Sequence, residues 1–148
     1  MRSNYPLNRI AAFAIVACSA LIALDAQTAQ PSHSLWDGVY TQEQAKRGET
    51  AYVEQCGRCH GADLSGGDSV PPLAGTDFLS TWNTKTVGDL FDRIRTSMPA
   101  DKPGTLSREQ DADIVAYMLS VNQFPAGKTE LGTDTDLLKQ IQFDAFKQ

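Results

Sequence analysis

The chain is poor in the side chains that build metal clusters and catalytic centres. Its 148 residues include three cysteines, two histidines and three methionines. A structural zinc site needs four nitrogen or sulfur ligands, and this sequence has few residues from which to assemble one. Whatever chemistry the protein performs therefore rests on a small number of identifiable side chains.

An excess of positive charge is also missing. The chain carries 13 Lys and Arg against 18 Asp and Glu, for a formal net charge of -5. This balance argues against nucleic acid or anionic lipid as a partner, since both bind through basic residues. It favours a protein partner with a basic surface, for which opposite charge mainly raises the rate of encounter.

The sequence lacks an apolar run long enough to span a membrane. The uncharged run from Ile10 to Leu24 follows Arg2 and Arg9, ends at Asp25, and is shorter than the roughly 18 residues of a spanning helix. This pattern predicts a cleavable signal peptide over residues 1–26, export to the periplasm and no stable membrane insertion afterwards. Acylation at Cys18 is a second interpretation, disfavoured because apolar residues continue after it.

Strand-like alternation of apolar and polar residues is absent too, so an all-α fold is predicted. Capping residues and apolar residues at helical spacing predict four helices. A polar lead precedes them and is expected to pack on the helical body through Trp36 and Tyr40. A tail follows, whose only helical stretch is weak. The predicted helices cover residues 42–56, 75–82, 86–97 and 107–122; the lead is 27–40 and the tail 125–148.

The most informative motif that is present reads Cys56-Gly57-Arg58-Cys59-His60. C-x-x-C-H is the attachment pattern of c-type haem: two thiols three residues apart reach two vinyl groups of one porphyrin edge, and the adjacent imidazole binds the iron. A thioredoxin-like pair would need a βαβ pattern, and a disulfide would close a very short, strained loop. We therefore predict one covalent haem c, held through Cys56 and Cys59 and ligated by His60.

The iron needs a sixth ligand or an open site, and three side chains outside the signal peptide could supply one. Met98 precedes Pro99 in a predicted loop, Met118 lies on the apolar stripe of the last helix, and His33 lies in the lead. A methionine on an apolar stripe is usually core filling. Met98 is the favoured ligand, because a loop between two helices can wrap around a cofactor and because His/Met ligation suits an electron carrier.

Residues 41–124 resemble class I cytochromes c in the order of their features as well as in the haem motif. Gly48 and Tyr52 are similar to the small residue and the aromatic of the family's first helix, and Asp113–Met118 resembles the terminal helix that crosses it. Pro71-Pro72-Leu73 resembles the loop whose proline carbonyl accepts the N–H of the proximal histidine, and Met98-Pro99 the distal loop. The resemblance implies three to five helices wrapped around one haem.

The resemblance also implies a function and further pocket residues. Leu73 and Trp82 would line the haem pocket, with the Trp82 indole near a propionate. The protein would be a periplasmic one-electron carrier rather than an enzyme, working between a dehydrogenase or quinol-oxidising complex and an acceptor such as a terminal oxidase. The lead and the Met98 region are similar to small cytochromes that serve quinoprotein dehydrogenases. A haem enzyme or gas-binding protein with an open distal site remains the alternative.

Overall fold

The computed structural model describes Met1 and residues 33–147. The predicted signal peptide, Cys18 and the first part of the lead lie outside these residues. Helices dominate the described chain, and no helix in it is long and apolar enough to cross a membrane. The helices are Gln42–Gln55 (α1), Gly57–His60 (α2), Thr76–Trp82 (α3), Val87–Ser97 (α4), Arg108–Val121 (α5) and Thr135–Leu138 (α6).

Local signals explain where the longer helices begin. Thr86 and Ser107 each accept a hydrogen bond from a backbone N–H of the first turn, and Asp89 and Gln110 return the bond to the capping residue. These reciprocal pairs satisfy backbone donors that a helix start leaves free. Together with apolar spacing, they make the bounds of α4 and α5 predictable from sequence, as observed.

The start of α1 corrects one expectation. The sequence predicts the same reciprocal pair between Thr41 and Gln44, and the Thr41 hydroxyl does accept the Gln44 N–H. The Gln44 side chain, however, turns away from the cap. Its amide donates to the Leu131 carbonyl at 2.9 Å and accepts the Leu131 N–H at 2.7 Å. A residue that resembles a cap therefore joins α1 to the C-terminal tail.

The two 14-residue helices, α1 and α5, cross at close range. A Cβ atom on Gly48 would overlap the Asp113 carbonyl and lie 2.9 Å from Tyr117 Cβ, so only glycine permits this approach. The Tyr52 and Tyr117 rings pack 5.3 Å apart beside the crossing. Arg47 joins the same helices at the surface through two bonds of 3.0 Å to the Asp113 carboxylate. This crossing sets the position of the end of α1, where the haem motif lies.

The lead and the tail pack together on the helical body. The lead does so through Trp36 and Tyr40, as predicted, whereas the sequence does not predict the placement of the tail. His33–Ser34 (β1) pairs in parallel with Ile141–Gln142 (β2), two short strands with no periodicity to reveal them. The Trp36 indole N–H donates to the Asp144 carbonyl at 2.9 Å. Phe143 is fully buried and packs edge-on against Phe124 and Phe78. The tail is thus part of the hydrophobic core.

Candidate functional site

The two cysteines of the motif lie at the junction between α1 and α2. The Cys56 N–H donates to the Tyr52 carbonyl at the end of α1, and the Cys56 carbonyl accepts the His60 N–H at 3.0 Å. This turn places Cys56, Cys59 and His60 within one helical turn of each other. Cys56 is half-buried, Cys59 is exposed, and both are free thiols.

His60 is buried and held in one orientation. Its Nδ1 lies 3.0 Å from the Pro71 carbonyl oxygen, which can only accept, so Nδ1 is the protonated nitrogen. In the neutral form of the ring the lone pair is therefore on Nε2. The backbone around the ring is fixed as well, because the Tyr52 hydroxyl donates to the Gly61 carbonyl and the Gly66 N–H to the His60 carbonyl. A neutral imidazole with an oriented free nitrogen is a strong iron ligand.

A cavity of about 620 Å³ opens in front of these residues. Its lining is mainly apolar. It comes from the α1–α2 junction, the loop before α3, helices α3, α4 and α5, and the loop after α4. It brings together the residues that the sequence singles out from distant parts of the chain: Cys56, Cys59, His60, Pro71, Leu73, Trp82 and Met98.

The three candidate sixth ligands lie in different surroundings. Met98 follows the last residue of α4 with an extended backbone (φ -125°, ψ 152°), is partly exposed, and lines the cavity. Met118 also lines the cavity, but it is held within α5 and is 1% exposed. His33 is exposed on β1 and is not among the cavity residues.

An ion pair crosses the rim between the motif and the loop after Met98. The Arg58 guanidinium lies 2.9 Å from the Asp101 carboxylate, and both residues line the cavity. The bond raises the pKa of Arg58. Both side chains are mostly exposed, so water and salt screen the pair and its contribution to stability is small. The pair does show that the loop after Met98 lies beside α2 at the cavity rim.

Burial and nearby acid groups keep the Cys56 thiol protonated. Burial is the larger cause and the Asp111 carboxylate the next, and together they raise the pKa of Cys56 to about 11. The thiolate is the form that attacks disulfides, and at neutral pH Cys56 contains very little of it. Attack by Cys56 on a disulfide at neutral pH is therefore slow.

These residues fit a haem. The cavity volume falls within the range of cofactor pockets, about 300–1,000 Å³, and an apolar lining suits a large flat ring. One wall carries two free thiols and an imidazole whose Nδ1 is held by a carbonyl, which is the donor set of a c-type attachment site. Within residues 33–147 no cluster of three His, Cys, Asp or Glu side chains could hold a bare metal ion instead.

Two residues near the site were missed by the sequence analysis. Asn122, just after α5, donates to the Leu73 carbonyl and accepts the Gly75 N–H, so it ties the wall after Pro71 to the last helix. Asp111 is fully buried one turn before Ile114. A carboxylate at i, with apolar residues at i+3 and i+7, is a signal that could have revealed Asp111. Asn122 leaves no such pattern, because its partners are backbone atoms far away in sequence.

Comparison with known proteins supports the same interpretation. Residues 43–118 match the family model described as cytochrome c oxidase, cbb3-type, subunit III. The matched range includes the attachment motif, both cavity methionines and most of α5.

A curated relative and a solved structure are also similar. The thiosulfate dehydrogenase of Stutzerimonas stutzeri (strain A1501) is 36% identical over 81 residues, which are 50% of this chain and 26% of that protein. The chain thus spans about a quarter of the length of the relative. The sulfane dehydrogenase SoxCD of Paracoccus pantotrophus is similar over 60% of this chain and 53% of its own, with 25% identity and a TM-score of 0.44.

Proposed function

Because the chain belongs to the family of cytochrome c oxidase, cbb3-type, subunit III, and is a c-type cytochrome, we propose that it is an exported one-electron carrier with His60 and Met98 as axial ligands. The single observation that carries the proposal is the cavity on which the C-x-x-C-H motif and Met98 converge. A haem bound there would supply one-electron Fe(II)/Fe(III) chemistry.

Each residue of the motif has its own role in this proposal. The Cys56 and Cys59 thiols would each add across one vinyl group, forming a C–S and a C–H bond and releasing nothing. The free Nε2 of His60 would bind the iron, while Pro71 keeps the ring oriented and strengthens it as a ligand. The half-buried wall around Leu73 and Trp82 would exclude water from the cofactor.

Met98 is the better-suited sixth ligand of the two cavity methionines. It lies just outside regular helix, with an extended backbone, and is partly exposed to the cavity, so its thioether has room to adjust to the iron. Met118 is packed inside α5 among buried neighbours. A thioether opposite an imidazole stabilises the reduced iron, and occupation of both axial positions disfavours substrate binding.

The cellular setting is also a proposal. The predicted signal peptide supports export to the periplasm, where residues 1–26 would be removed. The negative charge of the chain supports a redox partner with a basic surface and a small, transient interface. A dehydrogenase is the donor we favour, since the curated relative carries that name. We propose more specifically that the donor is a quinoprotein dehydrogenase and that the acceptor is a terminal oxidase.

Mass spectrometry of the protein expressed with the haem-attachment machinery tests the proposal. One added haem mass that survives acid-acetone extraction, and moves to a peptide containing Cys56 and Cys59 after digestion, is expected. The double variant Cys56→Ala/Cys59→Ala should lose it. Wild-type protein without the added mass would refute the proposed function.

A pair of methionine variants tests the sixth ligand. Met98→Ala should abolish the weak near-infrared sulfur-to-iron band of the oxidised protein and lower its potential, because the thioether no longer stabilises reduced iron. Met118→Leu, a change of similar volume at the other methionine that lines the cavity, should retain the band. The reverse pattern would assign the ligand to Met118.

A haem enzyme with an open distal site is the second candidate, favoured by the dehydrogenase name of the curated relative. Such a protein would bind carbon monoxide or cyanide rapidly in its untreated form at neutral pH. A carrier with both axial positions filled would bind them slowly or only after the methionine is displaced.

A further inference from the structure

Asp111 places a carboxylate where the fold otherwise buries apolar side chains. It lies on the face of α5 that also carries Ile114 and Met118, both of which line the cavity. Asp111 is 0% exposed, and neither of its carboxylate oxygens has a hydrogen-bond partner within the described residues. Burying an unpartnered carboxylate is costly, so the group calls for an explanation beyond packing.

Charged and titratable groups face Asp111 from three directions. Arg95 approaches from α4, and its Nε is also buried without a hydrogen bond; its nearest ion-pair partner is Asp92, at 3.5 Å. Arg108, on α5 itself, is engaged elsewhere, since it donates to Thr133 and Thr135. Cys56 approaches from the end of α1. In the described chain neither arginine lies within 4 Å of the Asp111 carboxylate, so the two form no closed ion pair with it.

Burial and the two arginines have opposite effects on the pKa of Asp111. Burial raises its pKa to about 6, against the attraction of Arg95 and Arg108, which lowers it. The electric field of Asp111 also reaches the cavity wall, because its carboxylate raises the pKa of Cys56. A charge added in the cavity acts on Asp111 in turn, with a strength set by its distance from the carboxylate, since electrostatic coupling is reciprocal.

We propose that Asp111 is a proton-binding site coupled to electron transfer: it takes up one proton when the carrier gains one electron and releases it when the electron leaves. This inference rests on the proposed function. A redox protein supplies the electron and solvent supplies the proton, which forms an O–H bond to a carboxylate oxygen. Negative charge added in a low-dielectric interior raises the proton affinity of a nearby carboxylate, which gives the coupling its direction.

The midpoint potential as a function of pH, measured on the haem-loaded protein, tests the proposal. In the wild type it should fall as pH rises through the region of pH 6, with a limiting slope of about 59 mV per pH unit, the value for a tenfold change in a one-electron equilibrium. Asp111→Asn has nearly the same shape but cannot ionise. Its potential should be independent of pH in this region and equal to the acid limit of the wild type.

Glu109→Gln is the matched control, because Glu109 is an exposed acid on the same helix. This variant should keep the wild-type slope. A wild-type potential that is flat between pH 5 and pH 8 would overturn the proposal. So would a slope that persists in Asp111→Asn, because another group would then hold the proton.

Infrared difference spectra recorded on reduction test the carboxyl directly and need only the wild type. A C=O stretch of a protonated carboxylic acid should appear on reduction, and in Asp111→Asn it should be missing. Absence of this band in the wild type contradicts the inference even if the variant does not fold. Haem content is determined first: protein without covalent haem refutes the proposed function, whereas haem-loaded protein with a flat potential refutes this inference alone.

Discussion

Asp111 is also informative about stability at the scale of a single residue. The pKa of this carboxyl is about 6 in the fold, against an ordinary value of 3.8. The folded state therefore prefers the protonated form. The favourable contribution is complete below about pH 4 and is lost as pH rises through 6, since ionisation of the buried group then costs free energy.

We expect Asp111→Asn to change the pH dependence of unfolding accordingly. The free energy of unfolding of the variant, relative to the wild type, should rise by about 2 kcal/mol between pH 4 and pH 8, at 1.36 kcal/mol per pKa unit. Denaturant titrations of the oxidised protein at the two pH values measure this difference. Glu109→Gln should show little change, and an equal effect of Asp111→Asn at both pH values would contradict the expectation.

The part of the site formed by the C-x-x-C-H motif can be predicted from the sequence. Cys56, Cys59 and His60 are adjacent in sequence, so their grouping needs no knowledge of the fold. Asp111 and Asn122 were missed because their roles depend on what surrounds them, burial for the first and two distant backbone groups for the second.

At the scale of elements, the crossing of α1 and α5 depends on Gly48. Replacing it with alanine would drive a methyl group into the Asp113 carbonyl, which is backbone and cannot move aside. We expect Gly48→Ala to lower the free energy of unfolding by about 3 kcal/mol, the upper part of the range for overpacking.

Gly57→Ala provides the control for this prediction. A Cβ at Gly57 meets only the Tyr52 carbonyl oxygen at 3.7 Å, an ordinary contact, so its effect should be small. Thermal unfolding followed by circular dichroism compares the two variants. Equal stability losses would show that the close approach of the helices is not what Gly48 provides.

Helices with local signals were predictable, and elements held by distant contacts were not. The all-α class I cytochrome c fold and the bounds of α4 and α5 are confirmed, because Thr86 and Ser107 determine those helix starts through residues three positions away. The pairing of β1 with β2 joins residues more than 100 positions apart. Two-residue strands have no periodicity, so hydropathy cannot reveal them.

At the scale of the whole molecule, Gln44 fastens the tail to the helical body. Its side chain is 2% exposed and satisfies both backbone polar groups of Leu131, which is itself buried. Gln44→Ala would leave a buried N–H and a buried C=O without partners. We expect a loss of about 2–6 kcal/mol in unfolding free energy, since each of the two groups costs about 1–3 kcal/mol.

Amide hydrogen exchange shows which part of the molecule loses stability in this variant. In Gln44→Ala the amides of the tail should exchange faster than those of α5, because only the tail loses its anchor. Gln42→Ala, at an exposed position of the same helix, should leave both regions unchanged. Uniformly faster exchange would mean that the tail and the helices unfold together.

The parallel pairing of His33 with Ile141 brings the lead and the tail to within one strand spacing of each other, about 4.8 Å. Neither strand contributes to the wall of the cavity. A linker attached at either strand would therefore not start at a residue of the cavity wall. The molecule could be tethered to an electrode through this strand pair without changing any residue that lines the cavity.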